Sequence, residues 1–292
     1  MAGFARSLAL ATTVTLAMGS AAFGAECGNT GAGFEAWKEN FAQQAAAQGI
    51  GRKGLAALAG ASYANATINA DRNQKSFKLS FDAFMKKRGA SIIISKGKQM
   101  KRSNAALFAD IERRYGVPAG PLIAIWGMET GFGGYMGKQN TISAITTLAY
   151  DCRRPDYFKP HAIAALALVD RGTLSSSSVG AMHGEGGHTQ FLPGKVLRYG
   201  VDGDGNGSVD LRNKADALAS TANFLRGHGW QPGAGYQPGE PNFAAIQGWN
   251  AASVYQRAIA VIGAEIDGVD PGHASQAERL GIAAGTVIAR KV

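Results

Sequence analysis

Residues 123–135 read Ile123-Ala124-Ile125-Trp126-Gly127-Met128-Glu129-Thr130-Gly131-Phe132-Gly133-Gly134-Tyr135. The apolar run over 118–129 predicts a buried helix that starts after Gly116-Val117-Pro118. Glycine adopts the backbone angles of a helix exit without steric penalty, so the run from Gly131 ends it. Glu129 is then a carboxyl at the C-terminal end of an apolar helix. Three effects favour its protonated form. Trp126, Met128 and Phe132 disfavour a charge beside them. The negative end of the helix dipole acts in the same direction. No basic residue lies within eight positions on either side to oppose them. A carboxylic acid that keeps its proton near neutral pH is what a glycosidase uses to protonate a leaving oxygen. An ordinary glutamate near a helix end is the plainer reading of the same residues.

Outward from this segment, helical periodicity predicts further helices over 34–48, 53–59, 74–88, 91–115, 141–150, 157–171, 214–227 and 251–266. In 34–48 the stripe is Phe34, Trp37, Phe41 and Ala45; in 74–88 it is Phe77, Phe81 and Phe84, which reads as core packing. Between the helices lie long stretches rich in Gly, Ser, Asp and Pro, at 173–178, 180–193, 201–210 and 231–241. Strand signals are few and there is no internal repeat. Helices joined by loops of this length suggest a cleft enzyme rather than a simple bundle.

The 292 residues carry a formal charge of +9. Such a charge suits nucleic acid, an anionic membrane or an anionic wall polymer, and by itself selects none of them. The N-terminus narrows the choice. Arg6 precedes an apolar run at 8–18, and small residues follow to Ala25, with Ala22-Phe23-Gly24 as the best cleavage site. This pattern predicts a signal peptide at 1–24 and a periplasmic location, which argues against a nucleic-acid partner. Cys27 invites a lipoprotein reading, but Glu26 stands where a small residue is needed. An even cysteine count in an oxidising compartment favours a Cys27–Cys152 disulfide over two free thiols. Residues 25–269 are expected to form one domain and 270–292 a tail.

Four ordered motifs, GMETGFGG (127–134), TISAITTLAYDCRRPDYF (141–158), GHTQFLP (187–193) and VDGDGNGSVDL…DALASTANFL…HGW (201–230), resemble the B-type lytic murein transglycosylases. The resemblance runs from about residue 34 to 266. It implies a mainly α, lysozyme-like (α+β) fold: a single helical catalytic domain with a deep substrate cleft and a small calcium-loop lobe. It implies a lytic transglycosylase that cuts between N-acetylmuramic acid and N-acetylglucosamine in peptidoglycan and closes a 1,6-anhydro ring, with Glu129 as sole acid and base. One carboxylate suffices because the nucleophile belongs to the substrate. The nearest acids in sequence, Glu112 and Asp151, lie in no comparable motif. A hydrolytic muramidase and a non-catalytic peptidoglycan-binding protein are the competing readings.

By the same resemblance Arg153 and Arg154 face the peptide stems, Gln190 hydrogen-bonds the sugar near the cut, and Trp249 and Asn250 line the cleft. Ala181 and Gly186 depart from the family pattern, as does Phe224, which reads as packing. His183 and Glu185 share a loop but match no zinc spacing, so a structural or sugar-contact role is expected. Asp202-Gly203-Asp204-Gly205-Asn206-Gly207-Ser208 is the first half of an EF-hand loop, with Asn213 where a closing Glu would stand. The resemblance closes it with Asp216, giving one Ca2+ held by Asp202, Asp204, Asn206, the Ser208 carbonyl and Asp216. A polar turn without an ion is the alternative. No organic cofactor is implied, and a monomer is expected.

Overall fold

The computed structural model describes residues 26–73 and 79–269 of the protein. The signal peptide, the tail and Phe77 lie outside these residues. Thirteen α-helices, one short 3-10 helix (Gly31–Gly33) and one two-stranded sheet occur among the described residues, as the mainly α reading requires.

Two apolar cores organise them. In one of them α1 (Phe34–Ala47), α2 (Arg52–Ala59), α8 (Thr141–Tyr150) and α9 (Pro155–Arg171) bury Phe34, Trp37, Phe41, Ile145 and Leu166 against one another. The other core surrounds α7 (Ala119–Thr130), with α5 (Ala90–Ser103), α11 (Lys214–Gly227) and α13 (Ser253–Asp267) packed on it. A helix that is apolar all round is a buried helix, and every α7 residue except Glu129 is buried. Burying a large apolar side chain contributes about 1.5–3 kcal/mol. Leu122, Ile123, Ile125, Trp126 and Met128 together therefore outweigh the cost of holding one carboxyl at the helix end. α7 and α13 approach closely because both carry glycine at the crossing. A Cβ on Gly120 would stand 2.3 Å from the Gly263 carbonyl oxygen.

Three short helices escape a periodicity reading. These are α3 (Asn65–Arg72), α10 (Pro193–Tyr199) and α12 (Phe243–Trp249). Each is eight residues or fewer, which leaves little room for an apolar stripe to repeat; α2, equally short, is the exception. The stretch at 91–115 is two helices, α5 and α6 (Ala105–Tyr115). Asn104 separates them: its side-chain amide donates to the Met100 carbonyl at 2.9 Å, a local bond that competes with the helix ladder. The stretch at 74–88 yields α4 (Phe81–Arg88), which starts at the Ser80 cap; Ser80 Oγ accepts from the Ala83 amide.

β1 (Gln139–Asn140) pairs antiparallel with β2 (Val179–Gly180). The pairing carries the 181–191 loop to the exit of α7. The loop is closed by paired backbone bonds between Gly186 and Phe191, at 2.9 and 3.0 Å, and by the Ala181 amide donating to the Glu185 carbonyl at 2.8 Å. Cys27 and Cys152 form a disulfide. It is flanked by a parallel bridge between Gly28 and Asp151, so the start of the described chain is fastened to the α8–α9 turn.

Candidate active site

A cleft of about 620 Å³ lies between the two cores. α3, α7 and α9 reach it through Ala70, Glu129 and Tyr157; the 181–192 loop and α10 add Glu185, Gln190 and Lys195; Trp249 and Asn250 stand at the end of α12. Sequence reasoning named Glu129, Gln190, Trp249 and Asn250 for the cleft, and the fold brings these four together. Gln190 has a φ of 57°, unusual for a residue with a side chain. Its amide nitrogen donates to the Gly187 carbonyl at 2.8 Å, which fixes its direction. The Asn250 side-chain oxygen accepts from the Ala252 amide at 2.9 Å, a local turn just ahead of α13.

Glu129 occupies the last turn of α7. The helix ends as Gly131 turns left-handed and its amide returns to the Gly127 carbonyl. Phe132 is also left-handed, at φ 66°, and packs edge-on against Trp126. The Thr130 hydroxyl donates to the His188 carbonyl at 2.7 Å and accepts from the Gly133 amide at 2.9 Å, pinning the exit to the 181–191 loop. At the carboxyl itself, Trp249 Nε1 donates to Oε1 at 3.1 Å and Tyr255 Oη donates to the same atom at 2.8 Å. Burial raises the Glu129 pKa above the ordinary carboxylate range. The two donors and the Arg88 guanidinium pull it back, while the Glu185 carboxylate adds to the rise. Tyr255 is held far above the ordinary tyrosine range by burial and by Glu129, so it stays a neutral donor.

The expectation that nothing basic opposes protonation held along the chain but not in space. Arg88 arrives from α4, with its guanidinium over the Phe84 and Tyr255 rings. Lys195 arrives from α10, its ammonium 4.9 Å from the Phe224 ring centre and 5.8 Å from that of Trp249. Burial lowers the Lys195 pKa, and Glu129 and Glu185 oppose that shift. Glu185 likewise corrects the picture of a cleft with one acid: it lines the same space as Glu129. Tyr255 was not singled out, although it lies only five positions beyond Asn250. Arg88 lies 41 positions from Glu129 and had no local signal.

Arg153 and Arg154 are not among the cleft-lining residues. Arg153 pairs with the buried Asp71 carboxylate at 2.9 Å, and Arg154 pairs with its other oxygen. Both guanidinium side chains remain about two-fifths exposed, at 41%. Phe224 is buried and packs against Phe191 and Trp249, as the packing reading expects. A Cβ at Gly186 would meet open space.

The acidic loop forms a separate cluster. One oxygen each from Asp202, Asp204 and Asp216 lies within 4.8 Å of the others. Asp216 is fully buried at the start of α11 and accepts from the Gly203 amide at 2.8 Å and the Asp210 amide at 2.7 Å, gathering both ends of the loop. Converging carboxylate oxygens on a turn of alternating donors suit a hard divalent cation. Asn213 donates to Asp204 Oδ2 at 2.5 Å and does not take the closing position.

Comparisons with known proteins agree with this geometry. Residues 33–240 match the transglycosylase SLT domain. Membrane-bound lytic murein transglycosylase B of Escherichia coli K12 is 36% identical over 141 residues, covering 44% of this chain and 38% of that protein. The chain thus spans well under half the length of that curated relative. SltB3 from Pseudomonas aeruginosa has been solved with NAG-NAM-pentapeptide and with NAG-anhNAM-pentapeptide. It is 28% identical, with TM-scores of 0.75 and 0.74, over 80% and 81% of this chain and 80% of that one. Slt35 of Escherichia coli, solved with calcium, superposes at a TM-score of 0.69 with 22% identity over 79% of this chain and 92% of that one, a likeness of fold. By its match over residues 33–240, the chain belongs to the SLT-domain transglycosylases.

Proposed function

We propose that the protein is a lytic transglycosylase that cleaves the β-1,4 bond between N-acetylmuramic acid and N-acetylglucosamine in peptidoglycan. The observation that carries this reading is the Glu129 carboxyl. It opens on the cleft, burial favours its proton, and both of its donors meet on Oε1. Oε1 is the hydrogen-bond acceptor, so the proton sits on Oε2. Glu129 passes that proton to the glycosidic oxygen as the C1–O bond breaks. The positive charge at C1 is shared with the ring oxygen and the acetamido group of the same sugar. The resulting carboxylate then takes the proton from the C6 hydroxyl as O6 bonds to C1. Glu129 ends protonated, no water is consumed, and one carboxyl has served as acid and then base. The complex of SltB3 with NAG-anhNAM-pentapeptide supports this product for a relative.

Around that centre, Gln190 and Asn250 orient sugar hydroxyl and acetamido groups, and Trp249 offers a ring face to the sugar while it holds Glu129. Arg153 and Arg154 share one carboxylate, Asp71, and their remaining positive charge suits the carboxylates of a peptide stem. Asp202, Asp204, Asn206, the Ser208 carbonyl and Asp216 would hold one Ca2+, which stiffens the loop and takes no part in the chemistry. Residues 25–269 form the catalytic unit, a monomer that works in the periplasm after loss of 1–24. No helix among the described residues is long and apolar enough to cross a membrane.

Glu185 in the same cleft supports a second reading, hydrolysis, because a second carboxylate is what an enzyme uses to activate water. Digestion of purified sacculi separates the two. Anhydro-ended muropeptides by mass spectrometry are expected, and free reducing ends would transfer the assignment to a muramidase. Glu129→Gln should abolish release while leaving sacculus binding intact. Undiminished release by that variant would refute the role of Glu129.

A further inference from the structure

Glu185 is held more elaborately than a loop residue needs. One carboxylate oxygen accepts from the His183 amide at 3.1 Å, and the other lies 3.5 Å from His183 Nδ1. The far nitrogen of that imidazole, Nε2, lies 3.5 Å from Asp71 Oδ1. Asp71 is itself clamped by Arg153 and Arg154. The backbone is fixed as well, since the Glu185 carbonyl accepts from the Ala181 amide, and a Cβ on Gly180 would strike it at 2.0 Å. A chain of contacts thus runs from the arginines of the α8–α9 turn, through Asp71 of α3 and the His183 imidazole, to a carboxylate in the wall of the cleft. A flexible surface glutamate would lose its electrostatic effect to solvent and motion; a fixed one facing a low-dielectric cleft keeps it.

We propose that Glu185 is a positioning residue for the reaction, an anion that His183 and Asp71 hold in the cleft wall to favour the proton on Glu129 and the positive charge at C1. This rests on the transglycosylase reading above. Other charged or titratable groups face the pair from every side. Arg88 on α4 and Lys195 on α10 favour the Glu129 carboxylate, Tyr255 on α13 donates to it, and Tyr157 on α9 senses Glu185. Glu185 is the one carboxylate among these neighbours that acts in the opposite direction on Glu129. It balances the two cations, so that Glu129 can give up its proton and regain it.

The test is the pH dependence of anhydro-muropeptide release by the full chain, for the wild type, Glu185→Gln and Glu185→Asp. In Glu185→Gln the shape is kept and the charge removed. Its alkaline limb should move to lower pH, with activity on that side of the optimum down about 3- to 10-fold and KM little changed. Glu185→Asp should recover part of the limb. A wild-type profile in Glu185→Gln, or equal shifts in the Gln and Asp variants, overturns the proposal. If Glu185→Gln fails to fold, as judged by thermal unfolding, His183→Asn carries the test: it should move the limb the same way by less, and an unmoved limb counts against the proposal. Absence of anhydro products from the wild type would refute the functional reading instead, so the two failures are distinct.

Discussion

Tyr255 Oη and Trp249 Nε1 donate to the same oxygen of Glu129, at 2.8 and 3.1 Å. The convergence orients the carboxyl and stabilises its anion, which in the proposed reaction is the form left after the first proton transfer. Tyr255→Phe removes one donor and keeps the ring. A hydrogen bond to a charged group is worth about 1.5–3 kcal/mol, so kcat should fall roughly tenfold or more. Loss of a donor to the anion raises the Glu129 pKa further, so the alkaline limb should move to higher pH, opposite to Glu185→Gln. An unchanged kcat with a limb that stays in place would remove Tyr255 from the mechanism.

Glu129→Gln should make the protein more stable at neutral pH while it stops turnover. The folded-state pKa of Glu129 is raised above its unfolded value. As pH climbs, the unfolded chain therefore releases this proton first and the folded chain is disfavoured. That penalty is absent below the unfolded pKa and complete once pH passes the folded one. Gln never incurs it. Thermal unfolding at pH 4 and pH 8 checks the sign. The variant should gain about 2–5 °C over wild type at pH 8 and little at pH 4. A larger gain at pH 4 would reverse the argument.

Calcium should raise the Tm of the wild type by several degrees at millimolar concentration, and a chelator should reverse the gain. Binding only the folded state at a hundredfold excess over Kd stabilises by about 2.7 kcal/mol. Asp202→Ala and Asp204→Ala should each remove the calcium-dependent increment while sparing Asp216, whose buried carboxylate supports the loop by backbone bonds alone. A Tm indifferent to calcium in the wild type would identify the cluster as a polar turn.

The Cys27–Cys152 bond closes a separation of 125 residues. A loop of that size restrains the unfolded chain strongly. Cys27→Ser with Cys152→Ser should cost about 2–5 kcal/mol by denaturant titration. A midpoint equal to that of the oxidised wild type would show that the Gly28–Asp151 bridge suffices alone.

Where the chain writes its structure locally, the fold could be read from it. The apolar run of α7, the glycine exit and α8 fell where periodicity and turn chemistry placed them, because each is decided by neighbours within a few residues. α3, α10 and α12 are held by tertiary contacts and had no such signal. The site divides in the same way. Glu129 stood out because the apolar helix and the glycines surround it in sequence. Arg88, Lys195 and Tyr255 join it only after α4, α10 and α13 have packed, and no local pattern announces that meeting. Glu185 was visible as a loop carboxylate, but its relation to Glu129 depends on the β1–β2 pairing. Arg153 and Arg154 were legible as a basic pair; their shared partner Asp71, 82 positions from Arg153, was not.

Eleven of the twelve residues of α7 are buried, and the remaining one is Glu129. Folding and the proposed chemistry thus share a single element. Random mutagenesis scored by loss of lysis should return substitutions at the α7–α5 and α7–α13 contacts as readily as in the cleft. Many of these should be temperature-conditional, because a helix displaced slightly from its packing carries its last side chain out of alignment before the domain unfolds. Genetic screens will therefore draw the functional map of this protein larger than its substrate footprint.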